Sequence, residues 1–345
     1  MIGLWNTDTG IVSGESGMFF EKNPVKLLFP AEKILNISCP AKGKVYRAGV
    51  DYLHESGSDL IFLTDASEIP VLPLSMITPA PENAIRFPEK NANAISNSEK
   101  GLLLFDGKDF FARNQVEIDY QISGTPAFPQ NRPLSSGVLP RFRQKLKNGD
   151  PITINLIGDS ISEGYNATGF LNVPPFAKQY TKLFAEGLEK QFGCKIDFRN
   201  RAIGGTGCLG AASIEDRWLE TPCDLQIIAY GMNDLCGLTA DRFQAALQDI
   251  INRKHACTPE TEFLLIASMP GNPNWYLTPF EASEKFAETI CSMETETVGV
   301  ADVFHFWTWI QNRKNYYDLT GNGVNHPNDY GHRIYAAILL DLFSR

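Results

Sequence analysis

The sequence lacks the cysteine pairs that disulfide frameworks and zinc sites need. It has seven cysteines in 345 residues, an odd number, and no two of them form a CxxC pair. Secreted disulfide frameworks usually have an even count, and structural zinc sites use closely spaced ligand pairs. The pattern predicts free thiols in a reducing compartment and no metal site.

Long apolar runs and a basic excess are also absent. No segment approaches the roughly 18 to 20 apolar residues of a membrane span. The first ten residues lack the basic stretch and apolar core of a signal peptide. We therefore expect a cytoplasmic protein, or a secreted one only if a leader has been removed. The net charge of −9 argues against a nucleic-acid partner, which would require a clustered basic surface.

The first part of the chain predicts an all-β domain. Residues 1–135 contain short apolar or alternating runs separated by Pro, Gly, Asn and Ser. Such spacing is typical of an antiparallel β-sandwich or jelly roll. Residues 78–100, rich in Pro, Asn and Ser, predict a long loop, and residues 136–150 predict a linker within a Pro-containing boundary region, 125–150.

Residues 151–345 predict a second, α/β domain. Strand-like and helical segments alternate there, which indicates a doubly wound parallel sheet covered on both faces. Predicted strands are 152–157, 195–199, 224–230, 262–268 and 297–303; predicted helices are 175–192, 240–256, 279–293 and 328–343. Ligands of such sheets bind at the carboxyl ends of the strands, where Ser160 follows the first of them.

Ser160 has three possible roles when taken alone. It could be a helix N-cap, with Glu163 completing a capping box. A phosphate loop is less favoured, because the glycine patterns and the following lysine of such loops are missing. A nucleophile is the third possibility, although the G-x-S-x-G elbow is also missing.

Three later segments favour the nucleophile. Gly205 lies in a glycine-rich turn, Asn233 follows a strand, and His326 precedes the last predicted helix. A serine nucleophile needs a base and donors for the oxyanion, and these residue types can supply both. Each could separately be a turn residue, a helix cap or a structural histidine, but four such pieces in this order favour one site.

The four segments resemble the blocks of the SGNH, or GDSL, hydrolases over about residues 151–345. The resemblance implies a flavodoxin-like sheet and serine esterase chemistry without a cofactor or metal. Ser160 would be the nucleophile and His326 the general base and then acid. The oxyanion hole would consist of the backbone N–H groups of Ser160 and Gly205 and the side-chain amide of Asn233.

One position departs from this family. The aspartate usually found three residues before the histidine is replaced by Gly323. Two alternatives follow: a Ser–His dyad in which a backbone carbonyl holds the imidazole, which we favour, or a substitute acid. Asp318 is the nearest upstream carboxylate and is the candidate third member.

The order of domains suggests a substrate class. A β-sandwich before an SGNH domain resembles the two-domain carbohydrate acetylesterases, which implies O-acetyl removal from an acetylated oligosaccharide or another small ester. Trp275 and Tyr276 in the loop after the fourth strand, with Tyr165 and Asn166 after Ser160, are candidate substrate-binding residues. A general short-chain esterase or thioesterase remains an alternative, as does a non-catalytic glycan-binding protein.

Overall fold

The structure is a computed structural model that describes residues 5–6, 9–97, 101–124 and 130–344. The first five residues of the predicted boundary region, 125–129, lie outside this description. The part before them and the part after them differ in architecture as the sequence predicts, and each is built around a separate sheet.

The N-terminal part is a β-rich domain, as predicted. Eight of its described strands form one largely antiparallel sheet, in the order β1-β2-β10-β3-β6-β5, with β4 paired to β3 and β7 paired in parallel to β2. The elements are β1 (Trp5–Asn6), β2 (Ile11–Phe20), β3 (Val25–Cys39), β4 (Lys44–Tyr46), β5 (Tyr52–His54), β6 (Ser58–Leu63), β7 (Val71–Leu72), β8 (Ala94–Ser96), β9 (Leu102–Leu104), α1 (Phe110–Asn114) and β10 (Gln115–Ile122).

The predicted loop over residues 78–100 is partly wrong. Strand β8 lies within it and pairs antiparallel with β9 in a separate two-stranded ribbon. Ala94 of β8 and all three residues of β9 are buried. Burial of these apolar side chains stabilises the ribbon, whereas the polar residues around it in the sequence predicted a loop.

The C-terminal part is a five-stranded parallel sheet in the order β12-β11-β13-β14-β15. This is the 2-1-3-4-5 order of flavodoxin-like folds, so the predicted fold class is confirmed. Its elements are β11 (Ile152–Gly158), α3 (Ser160–Glu163), α4 (Thr168–Leu171), α5 (Tyr180–Phe192), β12 (Ile196–Asn200), α6 (Glu215–Trp218), β13 (Leu225–Ala229), α7 (Ala240–Cys257), β14 (Glu262–Ala267), α8 (Phe280–Ser292), β15 (Val298–Asp302), α9 (Val303–Gln311) and α10 (Asp329–Asp341).

Two predicted boundaries need correction. The helix expected from residue 175 begins at Tyr180, because Phe176 has a φ of 60°, which a right-handed helix does not allow. The expected linker contains helix α2 (Pro140–Asn148), whose Phe142 and Leu146 are buried. No helix in the described ranges is long and apolar enough to cross a membrane.

The two parts share one hydrophobic core and several buried polar contacts. Lys314 donates to the Glu15 carboxylate at 2.8 Å, and both side chains are fully buried. The Gln115 side chain of β10 donates to the Thr320 carbonyl at 2.8 Å. Removing either Lys314 or Glu15 would leave the other charge buried without a partner, which strongly lowers the free energy of unfolding. This pair therefore holds the two sheets in their observed arrangement.

Gly323 lies where the ribbon meets the loop that carries His326. Its φ is 87°, and a Cβ at this position would overlap the backbone carbonyl oxygen of Leu104 in β9. Only glycine satisfies both the positive φ and the close approach of another backbone. The ribbon therefore occupies the space that a side chain at position 323 would need.

We predict that Gly323→Ala destabilises the protein more than a matched substitution elsewhere. Gly57→Ala is the control, because Gly57 has a similar φ of 84° and a Cβ added there would meet no atom within 4 Å. The control should lose about 1 kcal/mol from the unfavourable φ, and Gly323→Ala roughly 1–3 kcal/mol more from overlap with Leu104. Urea unfolding measures both values, and equal losses would contradict the close packing of β9.

Candidate active site

Ser160 lies directly after β11, at the carboxyl edge of the parallel sheet. It is the first residue of α3, and Asp159 occupies the N-cap, where its Oδ1 accepts from the Ile161 N–H at 3.0 Å. The possible capping role of Ser160 is therefore wrong, because the neighbouring carboxylate performs it. The Ser160 hydroxyl is instead 2.8 Å from His326 Nε2.

The loop that carries His326 is organised by one buried side chain, Asn322. Its Oδ1 accepts from the backbone N–H groups of Val324, Asn325 and His326 at 2.9 to 3.0 Å. Gly321 N also donates to the His326 carbonyl at 2.9 Å. Such side-chain-to-backbone bonds replace regular secondary structure and give the imidazole a fixed support. Sequence reasoning missed Asn322, although an asparagine four residues before a functional histidine is a usable turn signal.

Asn166 holds the other side of the imidazole. Its Oδ1 is 2.7 Å from His326 Nδ1, and its Nδ2 donates to the Gly321 carbonyl at 3.0 Å. The Gly321 carbonyl can only accept a hydrogen bond, so the NH₂ end of the Asn166 amide must face it and the oxygen end must face the ring. Oδ1 then requires a proton on Nδ1, which leaves Nε2 free to accept from Ser160.

This arrangement corrects two expectations about the third residue. The imidazole is held by a side-chain amide rather than a backbone carbonyl, and that amide belongs to Asn166, which we expected to bind substrate. Asp318 contributes to a different network: its carboxylate accepts from Met18 N at 2.7 Å and lies 3.5 Å from Lys314. Asp318 is close to His326 in the sequence, but its side chain points into the contact between the two sheets.

The environment of His326 disfavours its charged form. Burial lowers the pKa of His326 to about 3, and the neighbouring His332 acts in the same direction. A carboxylate at the position of Asn166 would oppose this effect by favouring the imidazolium, whereas an amide carries no net charge. His326 is therefore a neutral base over an unusually wide range of pH.

Two of the residues expected to supply oxyanion donors, Gly205 and Asn233, line the same cavity as Ser160. The Asn233 amide donates one N–H to the Thr206 carbonyl at 2.9 Å, which orients the side chain and leaves its second N–H for the cavity. Gly205 has a φ of 77°, which glycine adopts readily at this turn.

The cavity above Ser160 has a volume of about 530 Å³, and both parts of the chain line it. Of the other predicted binding residues, Tyr165 and Trp275 lie in its wall, whereas Tyr276 does not and is 47% exposed. The lining residues are Phe87, Pro88, Glu89, Asn91, Ala92, Ile95, Phe105, Asp106, Gly107, Lys108, Ser160, Tyr165, Asn166, Gly204, Gly205, Asn233, Trp275, Asn322, Val324, Asn325 and His326.

One group of potential metal ligands lies away from this cavity. Donor atoms of Cys291, Asp302 and His305 are within 4.8 Å of one another. Asp302 already caps helix α9 by accepting from the His305 N–H at 3.2 Å, and its carboxylate is also 2.7 Å from the His305 ring. Helix capping accounts for the contacts between Asp302 and His305, and none of the three residues lines the cavity with Ser160.

The chain belongs to the GDSL-like lipase/acylhydrolase family, whose family model matches residues 156–334, just over half of the chain. It is a carboxylic ester hydrolase of this type. No curated protein sequence matches it.

Solved structures with some similarity include three esterases or lipolytic proteins. An acetylxylan esterase from Geobacillus stearothermophilus has 17% identity and a TM-score of 0.47, with 57% of this chain and 96% of that chain covered. A lipolytic protein of the G-D-S-L family from Veillonella parvula has 18% identity and a TM-score of 0.45, with coverage of 56% and 98%. A two-domain esterase active on acetylated mannans has 19% identity and a TM-score of 0.45, with coverage of 60% and 53%.

We predict that Asn166→Asp moves the acid limb of the kcat/KM profile to higher pH. In the native protein the lowered pKa of His326 keeps the base neutral well below the ordinary histidine value of about 6.5. An added carboxylate beside Nδ1 favours the imidazolium, so the limb should rise by about 1–3 pH units. The measurement is kcat/KM for a soluble acetate ester as a function of pH.

Asn172→Asp is the control for this shift. Asn172 is exposed and, like Asn166, has a positive φ, here 56°, but it has no contact with His326 in the structure described. Its profile should match that of the native enzyme. An active Asn166→Asp variant with an unmoved acid limb would contradict contact between residue 166 and the catalytic imidazole.

Proposed function

We propose that the protein is a serine esterase that removes O-acetyl groups from a carbohydrate through an acyl-enzyme. The observation that carries the proposal is the 2.8 Å contact between Ser160 Oγ and His326 Nε2 at the base of the large cavity. A hydroxyl this close to an unprotonated ring nitrogen can lose its proton as it attacks a carbonyl.

The reaction has two steps. Ser160 Oγ attacks the acetyl carbonyl while His326 Nε2 takes its proton, and the same proton then passes to the sugar oxygen as the C–O bond breaks. Water next attacks the acetyl-serine, again with His326 as base, and acetate leaves as the Ser160 hydroxyl is restored. The oxyanion in each step is proposed to bind the N–H groups of Ser160, Gly205 and Asn233.

Asn166 is proposed as a positioning residue in both steps. It fixes the ring with the proton on Nδ1, as the geometry of its two hydrogen bonds requires. Each step forms a partly buried imidazolium, which the dipole of an amide stabilises less than a carboxylate would. With an amide in place of a carboxylate, His326 stays neutral at low pH and can act as a base there. The charged imidazolium is correspondingly harder to form.

The lining of the cavity supports a carbohydrate substrate. Aromatic rings and amide side chains both line it, among them Phe105, Trp275, Asn91 and Asn325. A sugar ring presents apolar C–H faces and a polar edge of hydroxyl groups, so a mixed wall of this kind matches it.

A short-chain thioesterase is the second candidate, and the cavity does not favour acyl-CoA. Among the described lining residues Lys108 is the single permanent cation, and it shares the wall with the acids Glu89 and Asp106. Phosphate groups bind where several cations or backbone N–H groups converge. A non-catalytic role is less favoured, because it would leave the Ser160–His326 contact unexplained.

We predict that Ser160→Ala abolishes acetate release from acetylated xylo- and manno-oligosaccharides and from ethyl acetate. Loss of a serine nucleophile typically lowers kcat by about 10⁴-fold or more, because the base then has no hydroxyl to activate and no acyl-enzyme can form. Acetate release at fixed pH is the measurement.

Ser162→Ala is the matched control. Ser162 lies two residues away in the same helix, and its hydroxyl is 2.6 Å from that of Tyr180 rather than near His326. It should retain most of the native rate. Equal activity of Ser160→Ala and the native enzyme on all three esters would refute the proposed mechanism.

A further inference from the structure

The outer wall of the cavity comes from the N-terminal domain. Ten of the lining residues, from Phe87 to Lys108, belong to the ribbon β8–β9 and its flanks. We call residues 85–97 and 101–108 the ribbon wall. It lines the same cavity as Ser160 and His326, so it can contact the alcohol part of an ester whose carbonyl is at Ser160.

The ribbon wall has a fixed position relative to the catalytic loop. Asp106 N donates to the Asn322 carbonyl at 3.1 Å, and Phe105 N donates to the Asn93 carbonyl at 3.1 Å. The close approach of Leu104 to Gly323 adds a packing constraint at the same place. A wall held in this way is pre-formed, so little conformational entropy is lost when a ligand binds to it.

Two phenylalanine rings form a partly exposed aromatic surface on this wall. Phe87 is 54% exposed, and its ring centroid is 5.2 Å from that of Phe105 at an interplanar angle of 63°. A ligand that covers the Phe87 ring would remove apolar surface from water and so gain binding free energy. The flat face of Phe87 suits the apolar face of a pyranose ring.

Polar groups surround this aromatic surface. Lys108 Nζ donates to Asn91 Oδ1 at 2.5 Å, and Asp106 Oδ2 accepts from the Lys108 and Phe110 N–H groups at 2.9 and 3.1 Å. Glu89 adds a second carboxylate to the same wall. Hydroxyl groups can donate to these acceptors, whereas a sugar carboxylate would be repelled by them.

We propose that the ribbon wall is the leaving-group subsite of the esterase and that Phe87, supported by Phe105, stacks on a neutral pyranose ring. This inference rests on the proposed function and adds the substrate determinant. Specificity for the saccharide then comes from the N-terminal domain, while the C-terminal domain supplies the chemistry.

The test compares saccharide esters with an ester whose leaving group has no ring. Acetylated xylo- and manno-oligosaccharides are assayed against ethyl acetate with the native enzyme, Phe87→Ala and Phe105→Ala. Phe62→Ala is the control, since Phe62 is 45% exposed on β6 of the same domain and does not line the cavity. The two ribbon-wall variants should lose about tenfold in kcat/KM on the better saccharide, mainly through KM, and less than about twofold on ethyl acetate.

The outcomes separate the two proposals. A native enzyme inactive on every ester refutes the proposed function itself. If the native enzyme hydrolyses ethyl acetate and shows no preference for either saccharide, the subsite is overturned. It is also overturned if Phe87→Ala lowers kcat/KM equally on the saccharide and on ethyl acetate. Acetylated oligogalacturonides, which carry a carboxylate on each ring, should be poorer substrates than the neutral saccharides, and a reversed preference would overturn the assignment of a neutral ring.

Discussion

The hydrogen bond between Asn166 Oδ1 and His326 Nδ1, 2.7 Å long, is the interaction on which the site depends. It places the proton on Nδ1 and leaves Nε2 to accept from Ser160. The Asn166 amide can do this because its other end is fixed to the Gly321 carbonyl. Without this contact the imidazole could adopt either tautomer, and the 2.8 Å contact with Ser160 would not define a base. The absence of charge on the amide agrees with a pKa of His326 that burial lowers.

The N-terminal domain is part of this arrangement rather than an addition to it. Leu104 of the ribbon packs against Gly323, and Gln115 of β10 bonds to the Thr320 carbonyl at the start of the histidine loop. A side chain at position 323 would collide with the ribbon, so the family's usual aspartate has no room there. The histidine is instead supported from the other side, by Asn166, where the turn after the serine helix brings an amide within reach. Position 323 is therefore the place where the missing aspartate and the N-terminal domain meet.

Sequence reasoning identified the parts whose signal is local. The parallel sheet follows from alternating strands and helices. Ser160 follows from a short motif at a strand end, and His326 from one before the last helix. The partner of His326 could not be found in this way, because Asn166 reaches it from 160 residues away through a turn with positive φ. Asp318 was a wrong candidate because distance along the chain does not give side-chain direction, and its carboxylate bonds to Met18 N. The ribbon wall could not be found for the same reason, since only tertiary packing brings residues 85–97 and 101–108 into one cavity with Ser160.

The most direct test of this account is nitrogen NMR of the labelled His326 imidazole, assigned by comparison with a His326→Gln variant. At about pH 5.5, one unit below the ordinary histidine pKa of about 6.5, most exposed histidines are charged. The account predicts that His326 is still neutral there, with a proton on Nδ1 and none on Nε2. A doubly protonated ring at that pH, or a neutral ring with its proton on Nε2, would contradict it.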